Sequence, residues 1–289
     1  MARPPYHLLL PFFAALVAFW WVPLAEGVKM SLESDTLYGP THFVGLEHYR
    51  ALALDGRFGM ALRNTARHAA LSIALILPLG LVLALLMRRA AERAQPFLRF
   101  GLLLPALCPP LVLGFLFVLV FSGRYGLLNM AVLTPLGLPP VDWLKDPAVI
   151  PLSLVFQAVW RWTGFVTLVI LAGLDGVPRA YVEVARAEGA GPWRILRDVT
   201  VPHLRPLLVF CAVMLFLDAF ALFSGAYVLL GASGGTADAG LLLVGLVYQT
   251  AFTYGRFGSA AAMSLSVVPL LGLGLFWLLR ERRARMVEP

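Results

Sequence analysis

The residues best suited to chemistry fall into two groups. One is a dense polar stretch from Val177 to Pro206, where Arg179, Glu183, Arg186, Glu188, Arg194, Arg197, Asp198, His203 and Arg205 recur between apolar neighbours. The other is a sparse set inside apolar runs: Gln157, Arg161, Asp218 and the hydroxylated aromatic Tyr227. Neither has the pattern of a catalyst, since no Ser-His-Asp arrangement, paired acids or metal-ligand cluster stands in a plausible pocket. The chain has no Gly-Lys dipeptide, so it lacks a phosphate-cradling Walker loop and should not hydrolyse ATP itself. Cys108 and Cys211 lie in separate apolar runs without a second Cys or His at ligand spacing, and read as packing or lipid-facing residues. What remains is recognition. A charged surface segment can meet another protein, and polar groups inside apolar runs either line a path or bridge helices.

The elements that carry these residues are made for lipid. Of 289 residues, 60% are hydrophobic and only 13% charged, against about 25% charged in soluble domains. The expected fold class is an all-α integral membrane protein, a single domain over 1–289 with about six spans near 8–25, 66–87, 100–122, 148–174, 206–230 and 257–279. The first run follows a basic start containing Arg3 and carries Trp20 and Trp21 near its far end; it reads as a retained helix, with a cleaved signal peptide as the alternative. Residues 26–65 are too polar for lipid and hold turn signals at Gly39-Pro40 and Asp55-Gly56. Pro105, Pro109 and Pro110 predict a kink or a broken turn in the third run. Residues 241–253 are apolar but too short to cross, and read as an external or interfacial helix.

Net charge is +7, and its distribution decides its meaning. Arginines gather at Arg3, Arg88–Arg99, Arg179–Arg205 and Arg280–Arg285, in short segments between apolar runs. That pattern argues against nucleic-acid binding and places those segments, with both termini, in the cytoplasm. Segment 178–206 has internal order. Pro178 suits a first helical position, Tyr181, Val184 and Ala185 share a face, and Gly189 and Gly191 can end the helix. Pro192 starts a second helix with Trp193, Leu196 and Thr200 on one stripe, and Pro202 and Pro206 are expected to redirect the chain into the fifth span.

These residues resemble the cytoplasmic signature (the EAA motif) of binding-protein-dependent ABC importer permeases: Glu-Ala-Ala, three residues, Gly, nine residues, Ile, one residue, Leu-Pro. Glu183-Val184-Ala185, Gly189, Val199 and Val201-Pro202 match it. Val184 replaces an Ala, Glu188 an Asp common in the sugar branch, and valines replace Ile and Leu. Phe43-Val44-Gly45-Leu46-Glu47-His48-Tyr49 and Asn64-Thr65 look like the first external loop of carbohydrate-uptake permeases; Trp143-Leu144-Lys145-Asp146-Pro147 and Ala251-Phe252 with Gly258 agree more weakly. The branch looks like the maltose and glycerol-phosphate type, although Gly234-Gly235-Thr236 stands where Gly-Gly-Pro is usual.

The resemblance implies a type I importer permease in the bacterial inner membrane, with a coupling-helix loop between spans four and five. It implies import of a sugar or related polyol delivered by a periplasmic binding protein, a second and non-identical permease, and separate ATPase subunits that hold ATP and Mg, with no cofactor on this chain. Glu183, Ala185, Glu188, Gly189, Ala190, Trp193 and Pro202 would then meet the ATPase. Gln157, Arg161, Asp218 and Tyr227 are candidates for the solute path; equally, Arg161 between Trp160 and Trp162 suits snorkelling to an interface, Gln157 helix bridging, and Tyr227 an interface belt. Another solute (peptide, amino acid or metal) is the alternative. A secondary transporter is the rival from a different class, but it calls for inverted repeats, and none is legible between the halves.

Overall fold

A computed structural model describes residues 9–35, 40–123 and 125–283. Arg3, Gly39 and Arg285, invoked above, lie outside the described residues. Among the described residues the only β pairing is an isolated bridge between Glu33 and Phe43. The helices, in chain order, are α1 (Leu10–Met30), α2 (Glu47–Leu54), α3 (Gly56–Met87), α4 (Gln95–Leu107), α5 (Pro110–Phe121), α6 (Ile150–Asp175), α7 (Arg179–Ala187), α8 (Pro192–Phe220), α9 (Ser224–Leu230), α10 (Leu243–Thr253) and α11 (Phe257–Arg283). Helices α1, α3, α6, α8 and α11 are each long and apolar enough to cross a membrane, and α4 with α5, bent by 99° at their junction, make a sixth if the pair counts as one span. The bend falls where Cys108 and Pro109 are extended, before Pro110 opens α5. That is the break expected from three prolines in one run.

Helix limits differ from hydropathy limits in several places. Helix α1 runs on to Met30 and α3 begins at Gly56, so much of the polar stretch 26–65 is helical. A hydropathy window marks where a chain enters lipid, whereas a helix can continue into water. The largest correction concerns the fifth span. Instead of a separate short helix, a redirection at Pro202 and Pro206, and a span to Leu230, α8 runs unbroken from Pro192 through both prolines and stops at Phe220. A widened turn at Leu196–Thr200, where the Val201 N–H bonds to the Leu196 carbonyl, absorbs Pro202. A proline in an ordinary turn would collide with the carbonyl four residues back.

The chain divides into two compact units, one of residues up to Met60 with Leu246–Leu271, the other of Ala61–Gly245 with residues from Gly272 on. In the first, Asp35 caps the start of α11. Its carboxylate accepts the Ser259 N–H (3.0 Å), the Ser259 hydroxyl and Arg256 Nε (3.2 Å). Burial alone would raise the pKa of Asp35, but the Ser259 bonds, the nearby His48 and Arg256 together hold it below the ordinary carboxylate value. His48 Nε2 donates to the Glu33 carbonyl at 2.7 Å, and the Tyr49 hydroxyl to Ser31 Oγ at 2.8 Å. Gly258 is required there: a Cβ would stand 2.7 Å from the Glu33 oxygen and 2.8 Å from that of Met30.

The second unit has two cores. In one, Ile76, Ala84 and Met87 of α3 meet Val166, Ile170 and Leu174 of α6 and Leu204, Cys211 and Leu215 of α8. In the other, Leu113, Phe117 and Phe121 of α5 pack on Ile150 and Leu154 of α6 and Leu229 and Leu230 of α9. Buried polar groups pin the connections. Asn64 Nδ2 donates to the Asp238 and Leu241 carbonyls (both 3.2 Å), and Thr65 Oγ1 accepts the Leu243 N–H at 3.0 Å, so the Asn-Thr pair holds the glycine-rich connection in place.

Asn129 organises the connection before α6. Its amide donates to the carbonyls of Gly123 and Val141, and its oxygen accepts from the Val141 N–H (3.2 Å) and Trp143 Nε1 (2.9 Å). Replacing a fully satisfied buried amide by leucine strands two donors and two acceptors, each costing about 1–3 kcal/mol. We therefore expect Asn129→Leu to lower the melting temperature of the purified protein by at least about 5 °C, at about 2–4 °C per kcal/mol. An unchanged melt would show that Asn129 does not hold this connection.

Candidate functional site

The loop between α6 and α8 is built by two helix-ending devices. Pro178, extended at φ −62°, ψ 125°, is the N-cap of α7 rather than its first helical residue. At the other end Gly189 takes φ +83°, the Gly189 N–H bonds to the Arg186 carbonyl and the Ala190 N–H to that of Ala185, each at 2.9 Å. This paired closure depends on a left-handed residue that only glycine adopts without cost. Gly191 then caps α8 in extended backbone, with Pro192 in its first turn.

What this loop shows to solvent is unusual. Tyr181, Val184 and Trp193 are 63%, 57% and 73% exposed, on a segment too charged to enter lipid. Glu183 and Glu188 are exposed beside them, and Ala185 and Ala190 are half-buried. Pro202 is not part of this patch: it lies nine residues beyond Trp193 on α8, about 14 Å along the axis. The sequence-derived docking set therefore divides into a cluster around Gly189 and an outlying Pro202.

Three of the four path candidates meet. Arg161 Nη1 lies 3.5 Å from Asp218 Oδ1, and Trp162 Nε1 donates to Asp218 Oδ2 at 2.8 Å. The Arg161 guanidinium also sits 4.6 Å from the Trp162 ring centre. Gln157 lies one turn along α6, and a Cβ on Gly225 would stand 3.0 Å from its Oε1, so that glycine lets α9 approach. These residues, with Pro110, Leu113 and Leu222, line a cleft of about 10 Å³, roughly the room one water needs. Within it Gln157 Nε2 and Arg161 Nε are buried without a hydrogen-bond partner among the described residues. Such orphan donors are rare and mark a strained site or one awaiting a ligand.

The snorkelling reading of Arg161 is replaced by an ion pair between α6 and α8, because a carboxylate within reach is a better partner than a distant headgroup. Tyr227 stands apart from this cleft, its ring 5.3 Å from that of Phe223. Trp162 escaped sequence reasoning. It belongs to the site as the second donor to Asp218, and only its position next to Arg161 hinted at that. Of the two cysteines, Cys211 packs in the α3–α6–α8 core and Cys108 against the other.

Known proteins share this architecture. A solved bacterial alginate ABC transporter, in complex with an alginate pentasaccharide-bound periplasmic protein, superposes with a TM-score of 0.81 over 96% of this chain and 93% of its own, at 20% identity. The arabinooligosaccharides transport system permease protein AraP of Bacillus subtilis is 30% identical, covering 90% of this chain and 82% of its own. The trehalose/maltose transport system permease protein MalF of Thermococcus litoralis is 30% identical over 91% and 88%. The sulfoquinovosyl glycerol transport system permease protein SmoG of Agrobacterium fabrum is 29% identical over 86% and 80%. The family described as binding-protein-dependent transport system inner membrane component matches residues 76–285. With its multiple apolar crossings and its exposed loop, this chain is a multi-pass inner-membrane transport component and belongs to that family.

Proposed function

We propose that this chain is one permease subunit of an ATP-driven importer that moves a sugar or related polyol by alternating access. The observation that carries it is the exposed Tyr181, Val184 and Trp193 patch, held out by the Gly189 closure where this chain leaves it uncovered. Such a patch fits a groove on an ATPase subunit. Glu183 and Glu188 would supply polar contacts at its edge, and ATP and Mg would reside on the partner. Both termini would then be cytoplasmic, with 178–206 as the docking segment. A second, non-identical permease and a periplasmic binding protein complete the assembly. The relatives named for arabinooligosaccharides, trehalose and maltose favour a carbohydrate cargo over a peptide, amino acid or metal, and a family of binding-protein-dependent systems disfavours an ion-coupled transporter.

In this reading the Gln157, Arg161 and Asp218 cleft belongs to the solute path. At about 10 Å³ it is closed to any sugar, so α6, α8 and α9 must part before solute passes. The orphan donors on Gln157 and Arg161 would then be free to meet solute hydroxyls.

The test is uptake of labelled oligosaccharides into vesicles carrying the purified assembly, with ATP inside and binding protein outside. Uptake should require both. Asp218→Ala should reduce it at least tenfold, because it removes the carboxylate that the largely buried Arg161 and the Trp162 indole N–H both meet. Uptake driven by an ion gradient without nucleotide would refute the importer reading. Full uptake by Asp218→Ala would remove the cleft from the path.

A further inference from the structure

A second feature beside the docking loop is not explained by docking. A cavity of about 660 Å³ opens between the end of α3, α7 and the first turns of α8. Its lining includes Arg88, Arg89, Arg186, Trp193 and Leu85, and no carboxylate. Arg88 donates to the Leu174 carbonyl at 3.5 Å. Among the described residues no acidic side chain lies within ion-pair distance of Arg88, Arg89 or Arg186, whereas Arg194 and Arg197, outside the hollow, both pair with Asp198. Three guanidinium groups gathered around one hollow repel one another, and a polyvalent anion of matching geometry would relieve that repulsion.

The surface leading to the hollow indicates which anion. Along α3, Leu75, Leu79, Val82 and Leu86 are all exposed, at spacings of four, three and four residues that align them on one face. The next position in that series is Arg89. Helix α3 is apolar enough to cross a membrane and ends at Met87, so the stripe has the composition of an acyl-chain surface and gives way to Arg88 and Arg89. Leu85 and the indole of Trp193 flank the hollow beside the three arginines. A soluble anion would need the three arginines but not the stripe.

We propose that this cavity binds the phosphate of an anionic phospholipid, its acyl chain lying along Leu75, Leu79, Val82 and Leu86 and its headgroup between Arg89 and Arg186, with Arg88 behind. Such a lipid links the end of α3 to α7, tying the docking loop to the membrane-crossing helix by a ligand rather than by the chain. The site itself does not depend on the transport reading; only the leaflet that supplies the lipid rests on the proposed orientation.

The test is native mass spectrometry of the full-length chain released from detergent, titrated with phosphatidylglycerol, with phosphatidylcholine or with inorganic phosphate alone. Phosphatidylglycerol should be retained in preference to phosphatidylcholine. The double variant Arg89→Gln/Arg186→Gln should weaken that binding roughly thirtyfold, at about 1 kcal/mol per arginine, while phosphatidylcholine retention stays the same. All four arginines in this comparison are exposed, so neither double variant should unfold the chain. A control double variant outside the hollow, Arg179→Gln/Arg197→Gln, should bind as the parent does. Equal retention of both lipids, an unchanged affinity in the first variant or an equal loss in the control would each overturn the site. Binding of inorganic phosphate as strong as that of the lipid would assign the hollow to a soluble anion and overturn the lipid assignment.

Discussion

Gly189→Val is expected to cut solute uptake by roughly five- to a hundredfold, with the protein still inserted in the membrane at parental levels. No atom lies within 4 Å of the position a Cβ would take, so the effect does not come from a clash. It comes from φ +83°, which a β-branched residue adopts only at a cost of about 1–3 kcal/mol. That strain would release the closing bonds from Gly189 to Arg186 and from Ala190 to Ala185, and with them the angle at which α7 presents Tyr181 and Val184. Asparagine tolerates the left-handed region, so Gly189→Asn should keep most of the uptake. Uptake in cells, membrane content by immunoblot and co-purification of an ATPase, measured for both variants, make the check. Full uptake by Gly189→Val would show that the loop's shape is not used.

The second large effect is expected at Gly164 in the middle of α6. A Cβ there would stand 1.7 Å from the carbonyl oxygen of Leu102, a backbone atom that cannot swing aside. Gly164→Ala must therefore push α4 and α6 apart, with an overpacking cost of about 1–3 kcal/mol. At about 2–4 °C per kcal/mol this is a fall of roughly 2–12 °C in the melting temperature, and Gly164→Leu should not accumulate as folded protein. Gly173 is a matched control on the same helix. Its Cβ would meet only the flexible ends of Leu204 and Leu207, so Gly173→Ala should be the milder change. A thermal melt of each alanine variant followed by size-exclusion profile decides it; equal stability at both positions would mean that the α4 crossing yields.

Much of this architecture is legible in the sequence because lipid imposes length and composition on any crossing helix. The number of apolar runs, the break among Pro105, Pro109 and Pro110, and the turn at Gly189 all follow from local chemistry. The end of α8 does not. Ala221, Leu222 and Phe223 carry no Gly, Pro or charge, yet the chain leaves the helix there, with Phe223 at φ −132°, ψ −66°. Hydropathy reads through such a break because the flanking residues are equally apolar. Pro202 misleads in the opposite direction: a proline signals a stop, but a widened turn just before it lets the helix pass. In the cleft, Arg161 and Asp218 were each conspicuous alone, but their pairing joins residues on different helices and no spacing rule reports it. The role of Trp162 as a donor to Asp218 was hidden for the same reason.

The unbroken course of α8 has a mechanical meaning. From Pro192 to Phe220 it is a rod of 29 residues, about 44 Å long, with Trp193 near one tip and Asp218 near the other. The widened turn at Leu196–Thr200 does not break it, so when the rod tilts as a whole both tips move. A tilt of about 5° imposed at one tip would sweep the opposite tip through roughly 4 Å, more than the 3.5 Å that separates Arg161 from Asp218.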